Sequence, residues 1–445
     1  MKKRSLAVNL AIIAALGSMA ACSKGSGTTE TTETTGTTMA ESASETTTAG
    51  KETGENNANS AGNVEIEFLS QKREDVDLFD EIIADFMKKN PGIHMTQTTT
   101  TGSVSFASRV AADDVPELGH VYASTAYRTM AEEGLFMDLR DQEFLNRIPQ
   151  EYLDLFTLKD GSVYAVPVDV NAFGLYVNMD IYNEQGLELP KTYDELIENC
   201  EKLRKAGITP FAFQFKDAGG LRQCFERFMT GAVDHDFLKI CEEVGKDGKS
   251  FGDYPSIVEG LEKFVKLLDY ADTDPVGMDT NDLADTFANG KCAMVMNGNW
   301  GASQYLGLNP DLNMSVILFP SVTGIEATTV GTPDMCLAIS ASATPEQQEA
   351  CLSFINYFLD PETIEWFAEE DKVPSIVDGV TYRNKELKEV SDAIENGKFT
   401  KSPTLGWANG YQSALQGELQ SLVIDRDVNG FIETWDQVTK DIYAQ

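Results

Sequence analysis

The clearest candidates for ligand chemistry are an aromatic ring and two polar side chains that lie beside apolar segments. Trp300 comes soon after the short apolar run of residues 292–296, a pattern typical of a strand buried on both faces. Ligands bind open α/β sheets beyond the carboxyl ends of their strands, so this ring is a candidate ligand contact. The alternative is a core Trp that only fills space, and the local pattern does not separate the two.

Asp169 and Asn171 interrupt a second apolar run, which continues to residue 177. A polar side chain inside an apolar strand needs a hydrogen-bonding partner, and a bound ligand is one candidate. A capped bulge or a hydrogen bond to the backbone would satisfy it equally well. Both interpretations stay open for these two residues.

The chain offers little for metal or nucleophilic chemistry. Its three His residues, at positions 94, 120 and 235, show no metal-ligand spacing, which argues against a zinc site or a Ser-His-Asp triad. Glycoside hydrolysis uses a pair of carboxylates. Because the chain has 71 acidic residues, the presence of such a pair does not indicate this activity. We therefore predict no catalytic residue, no metal and no cofactor.

Charge and Cys content narrow the classes of partner and compartment. The formal net charge of -36 would repel nucleic acid and anionic membrane surfaces. The Cys residues after the first lie in apolar or helical patterns and are predicted to be buried small hydrophobic residues. One disulfide among them is compatible with an extracytoplasmic location. They are Cys200, Cys224, Cys241, Cys292, Cys336 and Cys351.

The N-terminus has the features of an export signal. Residues 1–22 combine a cationic start, an apolar run too short to span a bilayer and small residues that end in Cys22. This end resembles a bacterial lipobox, which implies that Cys22 is lipidated, although Met19 stands where the box usually has Leu. An ordinary cleaved signal with an incidental Cys is the alternative. Residues 23–62 are rich in Thr, Ser, Gly and Glu and are predicted to form a disordered tether.

The elements that follow predict an α/β body. Strand patterns at residues 64–68, 93–98 and 118–122 alternate with helical patterns, and this βαβαβ order implies a parallel sheet. Two of the strands end in polar loops on the same sheet edge. Before Trp300, residues 281–288 predict a helix with Thr280 as its N-cap, Gly290 ends it, and Asn297-Gly298 predicts a turn.

Five stretches in order resemble the family 1 extracellular solute-binding proteins, the maltose-binding-like receptors of carbohydrate ABC importers. The specific one is Phe287-x-x-Gly290-Lys291-x-Ala293-Met294 followed by Gly298-x-Trp300. The other four are the corner at residues 86–93, the strand entry at 161–180, the helix start at 190–196, and the return at 338–374. Together they cover roughly residues 64–445.

The resemblance implies an α/β, two-lobe, periplasmic-binding-protein-like fold of type II with a hinge and an interlobe ligand cleft. The N-terminal lobe would comprise residues 64–170 and 331–372, and the C-terminal lobe residues 171–330 and 373–445. The chain would cross between lobes near residues 171–172, within 321–332 and near 371–374. Sugar would bind in the cleft, and hinge closure would follow.

The resemblance also implies a ligand set. A sugar ring is held by aromatic stacking on its apolar face and by hydrogen bonds to its hydroxyl groups. By position, the candidates are Ser70, Gln71, Tyr122, Ser124, Asp169, Asn171, Asn299, Trp300 and Trp407. Asn171 replaces a carboxylate of the maltose-type pattern, and residues 122–125 lack its acidic-basic pair, so maltodextrin is not favoured.

The function implied is that of an extracellular, lipid-anchored sugar receptor. It would work as a monomer on the outer face of the cytoplasmic membrane and would deliver a mono- or oligosaccharide to the transmembrane subunits of an ABC permease. Two alternatives remain open from the sequence. One is a secreted glycoside-active enzyme, and the other is a receptor for a non-sugar solute such as a polyamine or a peptide.

Overall fold

In the computed structural model the described residues are 63–72, 75–99, 106–233, 236–271, 274–380 and 384–443. The predicted signal peptide of residues 1–22, its lipidation site Cys22 and the predicted tether of residues 23–62 lie outside them. A search of the described ranges finds no helix that combines the length and the apolar character needed to cross a membrane.

The described residues form strands that belong to two separate sheets. In chain order the strands are β1 (Val64–Ser70), β2 (Ile93–Thr99), β3 (Leu118–Val121), β4 (Val166–Pro167), β5 (Val170–Asn178), β6 (Phe211–Ala212), β7 (Met294–Gly298), β8 (Met314–Ile317), β9 (Thr329–Pro333), β10 (Cys336–Ile339) and β11 (Phe399–Lys401).

Helices cover both sheets. In chain order they are α1 (Val76–Lys89), α2 (Phe106–Ala111), α3 (Thr125–Glu132), α4 (Gln150–Leu153), α5 (Met179–Gln185), α6 (Tyr193–Lys205), α7 (Ala218–Ala232), α8 (Phe237–Asp247), α9 (Pro255–Leu267), α10 (Thr280–Ala288), α11 (Trp300–Leu308), α12 (Pro345–Phe358), α13 (Pro361–Asp371), α14 (Lys388–Glu395), α15 (Tyr411–Asp425) and α16 (Val428–Tyr443).

The first sheet has the order β2-β1-β3-β10-β4. Its strand β1 is parallel to β2 and to β3, with Val64 opposite Ile93 and Phe68 opposite Leu118. The predicted βαβαβ unit is therefore confirmed. The late strand β10 runs antiparallel to both β3 and β4, so the chain returns to this sheet after it has built the second one.

The second sheet is organised around the long strand β5. Its order is β11-β9-β5-β7-β6, and β8 also pairs with β5. Strands β7, β8 and β9 are all antiparallel to β5. Because β5 is central, its residues are almost all buried, which explains the apolar run seen in the sequence.

Each sheet has its own hydrophobic core. Phe68 of β1 lies 5.3 Å from Phe79 of α1 between ring centroids, and Phe86 lies 5.2 Å from Phe354 of α12. Burial of each such ring contributes roughly 1.5–3 kcal/mol. A second cluster joins β5 and β7 to α6, α7, α9, α15 and α16. The architecture is the predicted α/β fold with two lobes.

Trp435 belongs to the second core and is fully buried. Its ring stacks on Phe251 at 3.5 Å between centroids and lies edge to face with Phe225 at 5.5 Å. Trp435 therefore has a packing role. Capping boxes formed by Thr192 with Glu195 and by Thr344 with Gln347 begin α6 and α12.

All six Cys residues within the described ranges are free and buried. The disulfide that the sequence left open is therefore absent among them. Burial raises the pKa of most of these thiols, and that of Cys200 rises to about 12. They act as small apolar side chains, as predicted.

Two local predictions near Trp300 were wrong. Asn297 and Gly298 are the last residues of β7 rather than a turn, because they pair with Gly174 and Phe173 of β5. The N-cap of α10 is Asp279 rather than Thr280, since the Asp279 carboxylate accepts hydrogen bonds from the amides of Asn281 and Asp282. Strand pairing with β5 outweighed the turn preference of Asn297-Gly298, and the Asp279 carboxylate caps the helix in place of the Thr280 hydroxyl.

The passages between the sheets differ in position from those expected. The first lies at residues 168–169, between β4 and β5, and the second at residues 334–335, between β9 and β10. The second is later than 321–332 because Pro333 still pairs with Val170. Ile376 and Val377 pack in the first core, so the third passage follows them and does not lie at 371–374.

Candidate functional site

Trp300 begins helix α11, directly beyond the carboxyl end of β7. Its ring lies over the backbone of Gly298, where an added Cβ would come within 1.9 Å of a ring carbon. The ring also contacts Phe173 of β5, with 6.4 Å between centroids. Trp300 is half-buried, so one part of the ring is held by the lobe and another part is accessible.

A cationic group lies next to this aromatic pair. The Arg227 guanidinium of α7 stands 4.9 Å from the centre of the Phe173 ring. Arg227 and Arg222 both pair with the carboxylate of Glu226, at 3.4 Å and 2.6 Å. Burial raises the pKa of Glu226, although Arg227 and Arg222 act in the opposite direction. This cluster was not predicted from the sequence. The sequence indicated it only through three charged residues on an otherwise apolar helix.

The loops after β1 and β3 lie side by side at one edge of the first sheet, as predicted. The Gln71 amide donates to His120 Nδ1 at 3.3 Å, and its side chain donates to the His120 carbonyl at 2.8 Å. Tyr122 is 39% exposed, and among the described residues no other large aromatic side chain is exposed to this degree. Its ring lies 4.7 Å from that of His120. Tyr122 and Gln71 therefore remain the accessible candidates of the first lobe.

Ser70 and Ser124 are engaged in local structure. Ser70 is buried, and its Oγ accepts a hydrogen bond from the Lys72 amide at 3.2 Å. Ser124 Oγ accepts from the Tyr127 amide at 3.1 Å and so caps the N-terminus of α3. Ser124 stays half-buried. The structure supports a ligand contact for Ser124 less well than for Tyr122, and for Ser70 not at all.

Asp169 has partners within the protein. Its side chain is 0% exposed, its Oδ1 accepts from the Met335 amide at 2.7 Å, and its Oδ2 lies 3.7 Å from Lys72 Nζ. Burial raises the pKa of Asp169 to about 7, against the attraction of Lys72. The partner that the apolar strand requires is thus supplied by the protein, and the sugar contact of Asp169 stays a prediction.

Asn171 and Asn299 both lie beside the first passage. Asn171 is half-buried in β5 and pairs with Thr332 of β9. Asn299 is buried, and its Oδ1 accepts from the Ala172 amide at 2.8 Å. The Asn299 side chain therefore joins the end of β7 to β5, and its role as a ligand contact stays a prediction. Asn171 keeps an accessible part and stays a candidate.

Trp407 is a core residue in this structure. It is 3% exposed, and its ring lies 5.0 Å from Tyr411 and 6.5 Å from Phe237 between centroids. The expected stacking on sugar is not supported, because the second core covers the ring. Its carbonyl nevertheless accepts a hydrogen bond from Thr125 Oγ1 at 3.2 Å. This contact places the loop before α15 opposite the first lobe.

Lys72 is the residue of greatest consequence that the sequence analysis missed. It is 3% exposed, and its ammonium lies 2.9 Å from Asp334 and 3.7 Å from each of Asp75 and Asp169. It also forms an ion pair with Asp371. The sequence contained no sign of this cluster, because its five members are distant from one another along the chain except for Lys72 and Asp75.

The chemistry available in the described residues is that of binding. The two described carboxylates with a raised pKa, Asp169 and Glu226, are buried and paired with Lys72 and with Arg222 and Arg227, so neither can reach a glycosidic bond as a general acid. No cluster of three or more His, Cys, Asp or Glu in the described ranges could hold a metal ion. What is accessible is a Trp ring on one lobe and a Tyr ring with polar neighbours on the other.

Comparison with known proteins gives consistent matches. A sequence model described as bacterial extracellular solute-binding protein matches residues 71–365. The multiple sugar-binding protein of Streptococcus mutans is 28% identical over 335 residues, which cover 71% of this chain and 76% of that protein. The melibiose/raffinose/stachyose-binding protein MelE of Bacillus subtilis is 25% identical over 311 residues, covering 67% and 70%.

The fold comparison agrees. A solved structure of the solute-binding protein RafE in complex with raffinose superposes with a TM-score of 0.76. The two chains are 24% identical, and the match covers 85% of this chain and 100% of that one. At this identity the likeness shows the fold, which is the two-lobe fold of type II solute-binding proteins.

Proposed function

The chain belongs to the bacterial extracellular solute-binding protein family, and from this premise we propose that it is the sugar receptor of a carbohydrate ABC importer. It binds a sugar between its two lobes and delivers it to a membrane permease. It performs no chemical step, and its work is capture, closure and delivery.

The arrangement of Gly298 and Trp300 is the observation that carries the proposal. The glycine leaves room for the Trp ring at the end of β7, and Trp300 remains half-buried. An apolar ring face of this kind suits the CH face of a sugar, and polar side chains at the cleft suit its hydroxyl groups. Tyr122, Gln71 and Asn171 supply candidates for these contacts.

The proposed ligand is an oligosaccharide of the raffinose type. One relative is named for melibiose, raffinose and stachyose, another for multiple sugars, and a structure of the same fold contains raffinose. These names belong to those proteins, and they make raffinose and stachyose the first ligands to test here. The departures of this chain from the maltose-type pattern agree with that choice.

We place the receptor outside the cytoplasmic membrane, anchored to it through lipidated Cys22. Residues 1–22 would direct export, and residues 23–62 would act as a flexible tether with a reach of roughly 35 Å. The body would work as a monomer of two lobes, with the first two passages at residues 168–169 and 334–335. Stable anchoring would require two acyl chains, because one gives only marginal membrane binding.

Calorimetric titration of the purified protein tests the proposal. The panel contains raffinose, stachyose, melibiose and maltotriose, with spermidine and a short peptide as non-sugar solutes. We expect heat of binding with one or more oligosaccharides. A saturating sugar at about a hundredfold above its Kd should raise the free energy of unfolding by about 2.7 kcal/mol.

Two controls accompany the titration. Chromatography of the sugar after incubation should return it unchanged, and conversion to products would contradict a pure binding role. A response to spermidine or the peptide, with none to any sugar, would replace the sugar proposal by a different solute. Size-exclusion chromatography of the protein with and without ligand should give a monomer in both states.

A further inference from the structure

Three neighbouring segments at the junction of the lobes each supply one aspartate to Lys72. Asp169 lies on the first passage, Asp334 on the second, and Asp371 at the start of residues 371–375, which run beside the first passage. The backbones are joined directly, since Val168 donates to the Met335 carbonyl at 2.9 Å. Asp169 also forms a β-bridge with Ser375.

Among the described residues of this cluster, carboxylates outnumber ammonium groups. One ammonium faces four carboxylates, and every side chain is at most 10% exposed. Burial lowers the pKa of Lys72, but Asp334, Asp371, Asp169 and Asp75 raise it by more, so it stays well above its usual value. Lys72 therefore remains charged, and it is the cation that allows these carboxylates to stay close together.

Both lobes contact the cluster through their candidate ligand regions. In the first lobe, Lys72 follows Gln71, and Gln71 is linked through His120 to the Asp334 carbonyl, which lies 2.8 Å from His120 Nε2. In the second lobe, Ser303 Oγ of α11 donates to the Asp371 carbonyl at 3.3 Å. Helix α11 is the one that begins with Trp300.

We propose that Lys72 is a positioning residue of the hinge, which holds the two passages and the 371–375 segment in the arrangement that aligns the Trp300 and Gln71 sides of the cleft. Lys72 would thereby set the affinity for ligand without touching it. This inference rests on the proposed function only for its affinity measurement, because the hinge arrangement can be measured without any sugar.

The role follows from the physics of hinges. A hinge closes by a change in a few backbone torsions where the chain passes between lobes, and here those points are residues 168–169 and 334–335. Without the ammonium, the carboxylates would repel one another in a buried site, and the segments would move apart. Coupling energies between a hinge and a binding site are typically equivalent to about 5–150-fold in affinity.

The variant Lys72→Met tests the proposal, with Lys291→Met as its matched control. Lys291 forms an exposed ion pair with Asp285 and should behave as the unmodified protein. We expect Lys72→Met to bind raffinose, or whichever panel sugar the receptor binds, at least about tenfold more weakly at about pH 8. The radius of gyration of the unliganded variant, measured by X-ray scattering, should be larger than that of the unmodified protein.

The pH profile separates positioning from a purely structural role. Protonation of Asp169, whose pKa is raised to about 7, should at about pH 5.5 restore much of the affinity and the smaller radius of Lys72→Met. A loss of packing alone would give a defect of equal size at both pH values. Among the described residues, the groups that face Lys72 are Asp75 at the N-cap of α1, Asp169, Asp334 and Asp371, with the neutral His120 of β3 and the Cys336 thiol of β10 beside them.

A second variant keeps the test decisive if Lys72→Met does not fold. Asp371→Asn leaves Lys72 paired with the other aspartates but releases residues 371–375, so it should lower affinity and enlarge the unliganded protein at both pH values. If the variant that folds has the same radius of gyration and the same sugar affinity as the unmodified protein, the proposal is overturned. If the unmodified protein binds no sugar, the proposed function fails, and the scattering data alone still decide the role of Lys72.

Discussion

At position 300 a single ring combines two environments. One part of Trp300 packs on Gly298 and Phe173, and the rest is accessible at the end of the sheet. A Trp buried for packing alone, such as Trp435, has no accessible part. The intermediate burial of Trp300, together with its position directly beyond the carboxyl end of β7, favours the ligand-contact interpretation over the core interpretation that the sequence left open.

Replacement of Trp300 by Ala should separate affinity from stability. Because the ring is half-buried, we expect a loss of only about 1–2 kcal/mol in the free energy of unfolding. A stacking residue at the centre of a site typically contributes 2 kcal/mol or more, so sugar affinity should fall roughly 30-fold or further. Urea unfolding and calorimetric titration measure the two quantities.

Trp366→Ala is the matched control for that substitution. Trp366 is also partly buried, but it packs on the first core from helix α13. It should lose comparable stability and keep full affinity. A Trp300→Ala protein that unfolds readily while its remaining folded fraction binds sugar normally would show that Trp300 is a core residue.

Asp169 and His120 should have opposite effects on the pH dependence of stability. Burial raises the pKa of Asp169 to about 7, so the folded protein binds more protons than the unfolded one between about pH 4 and 7. Its contribution to stability is then lost as the pH rises. Burial lowers the pKa of His120 to about 4, and its contribution is lost as the pH falls below about 6.5.

The isosteric change Asp169→Asn should reveal this difference. Asn can still accept the hydrogen bond from the Met335 amide, while the titrating group is removed. Relative to the unmodified protein, we expect the variant to be more stable at about pH 8 than at about pH 4.5. The difference in the free energy of unfolding, measured by urea at both pH values, checks the sign. An equal difference at the two pH values would contradict the assigned titration.

The candidate site could be predicted from the sequence only where its residues are local. Gly298 and Trp300 are two positions apart, and their spacing was visible. Asp169 was correctly recognised as a polar residue that needs a partner, but the partner Lys72 lies on another strand-end loop. Burial of Trp407 and pairing of Asn299 likewise depend on tertiary contacts that no local pattern contains.

At the scale of elements, the junction of β7 and α11 determines where the Trp ring lies. Strand β7 is held on β5 through its last residue, and the helix starts two residues later. The ring therefore folds back over the strand end, which is feasible only without a side chain at position 298. The requirement is space, since Gly298 is not among the residues with positive φ.

Gly298→Ala should displace the Trp300 ring while Trp300 itself is left unchanged. A Cβ within 1.9 Å of a ring carbon forces the Trp side chain to move, so sugar affinity should fall about tenfold, as expected for a misplaced contact. Titration calorimetry gives the affinity. In the Trp300→Ala background the same substitution should cost little further affinity, because the clash has been removed.

Gly307→Ala provides the control within the same helix. Nothing lies within 4 Å of a Cβ added there, and Ala is favoured over Gly in a helix by about 1 kcal/mol. That variant should be as stable as the unmodified protein or more so, with unchanged affinity. A comparable loss of affinity in both glycine variants would show that helix α11, rather than the ring, responds to the substitutions.

Helices and strands were predicted correctly where the hydrophobic pattern extended over many residues. Predictions failed where strand pairing determined the extent of an element. Helix stripes, capping boxes and the parallel βαβαβ unit were all visible in the sequence. Strand β6 is only Phe211–Ala212, although the apolar pattern extended over residues 209–215. Phe213 and Phe215 of that pattern pack in the second core but lie outside the strand, which a single sequence does not show.

At the scale of the whole molecule, two sheets share one chain that passes between them more than once. The family resemblance predicted the two lobes, but the residues of the passages depended on pairing between β5 and β9. The first two passages each contain an aspartate, and Lys72 forms an ion pair with both. The junction is thus defined by a buried charge cluster as well as by backbone connectivity.

The burial of the thiols has a consequence for the use of this protein as an optical reporter. Every Cys in the described ranges is buried, and the raised pKa values keep the sulfur atoms protonated and unreactive. A single Cys introduced at exposed Leu308, the last residue of α11, would therefore react selectively with a maleimide dye. Its fluorescence would report movement of the helix that begins at Trp300, with no native Cys in these ranges removed.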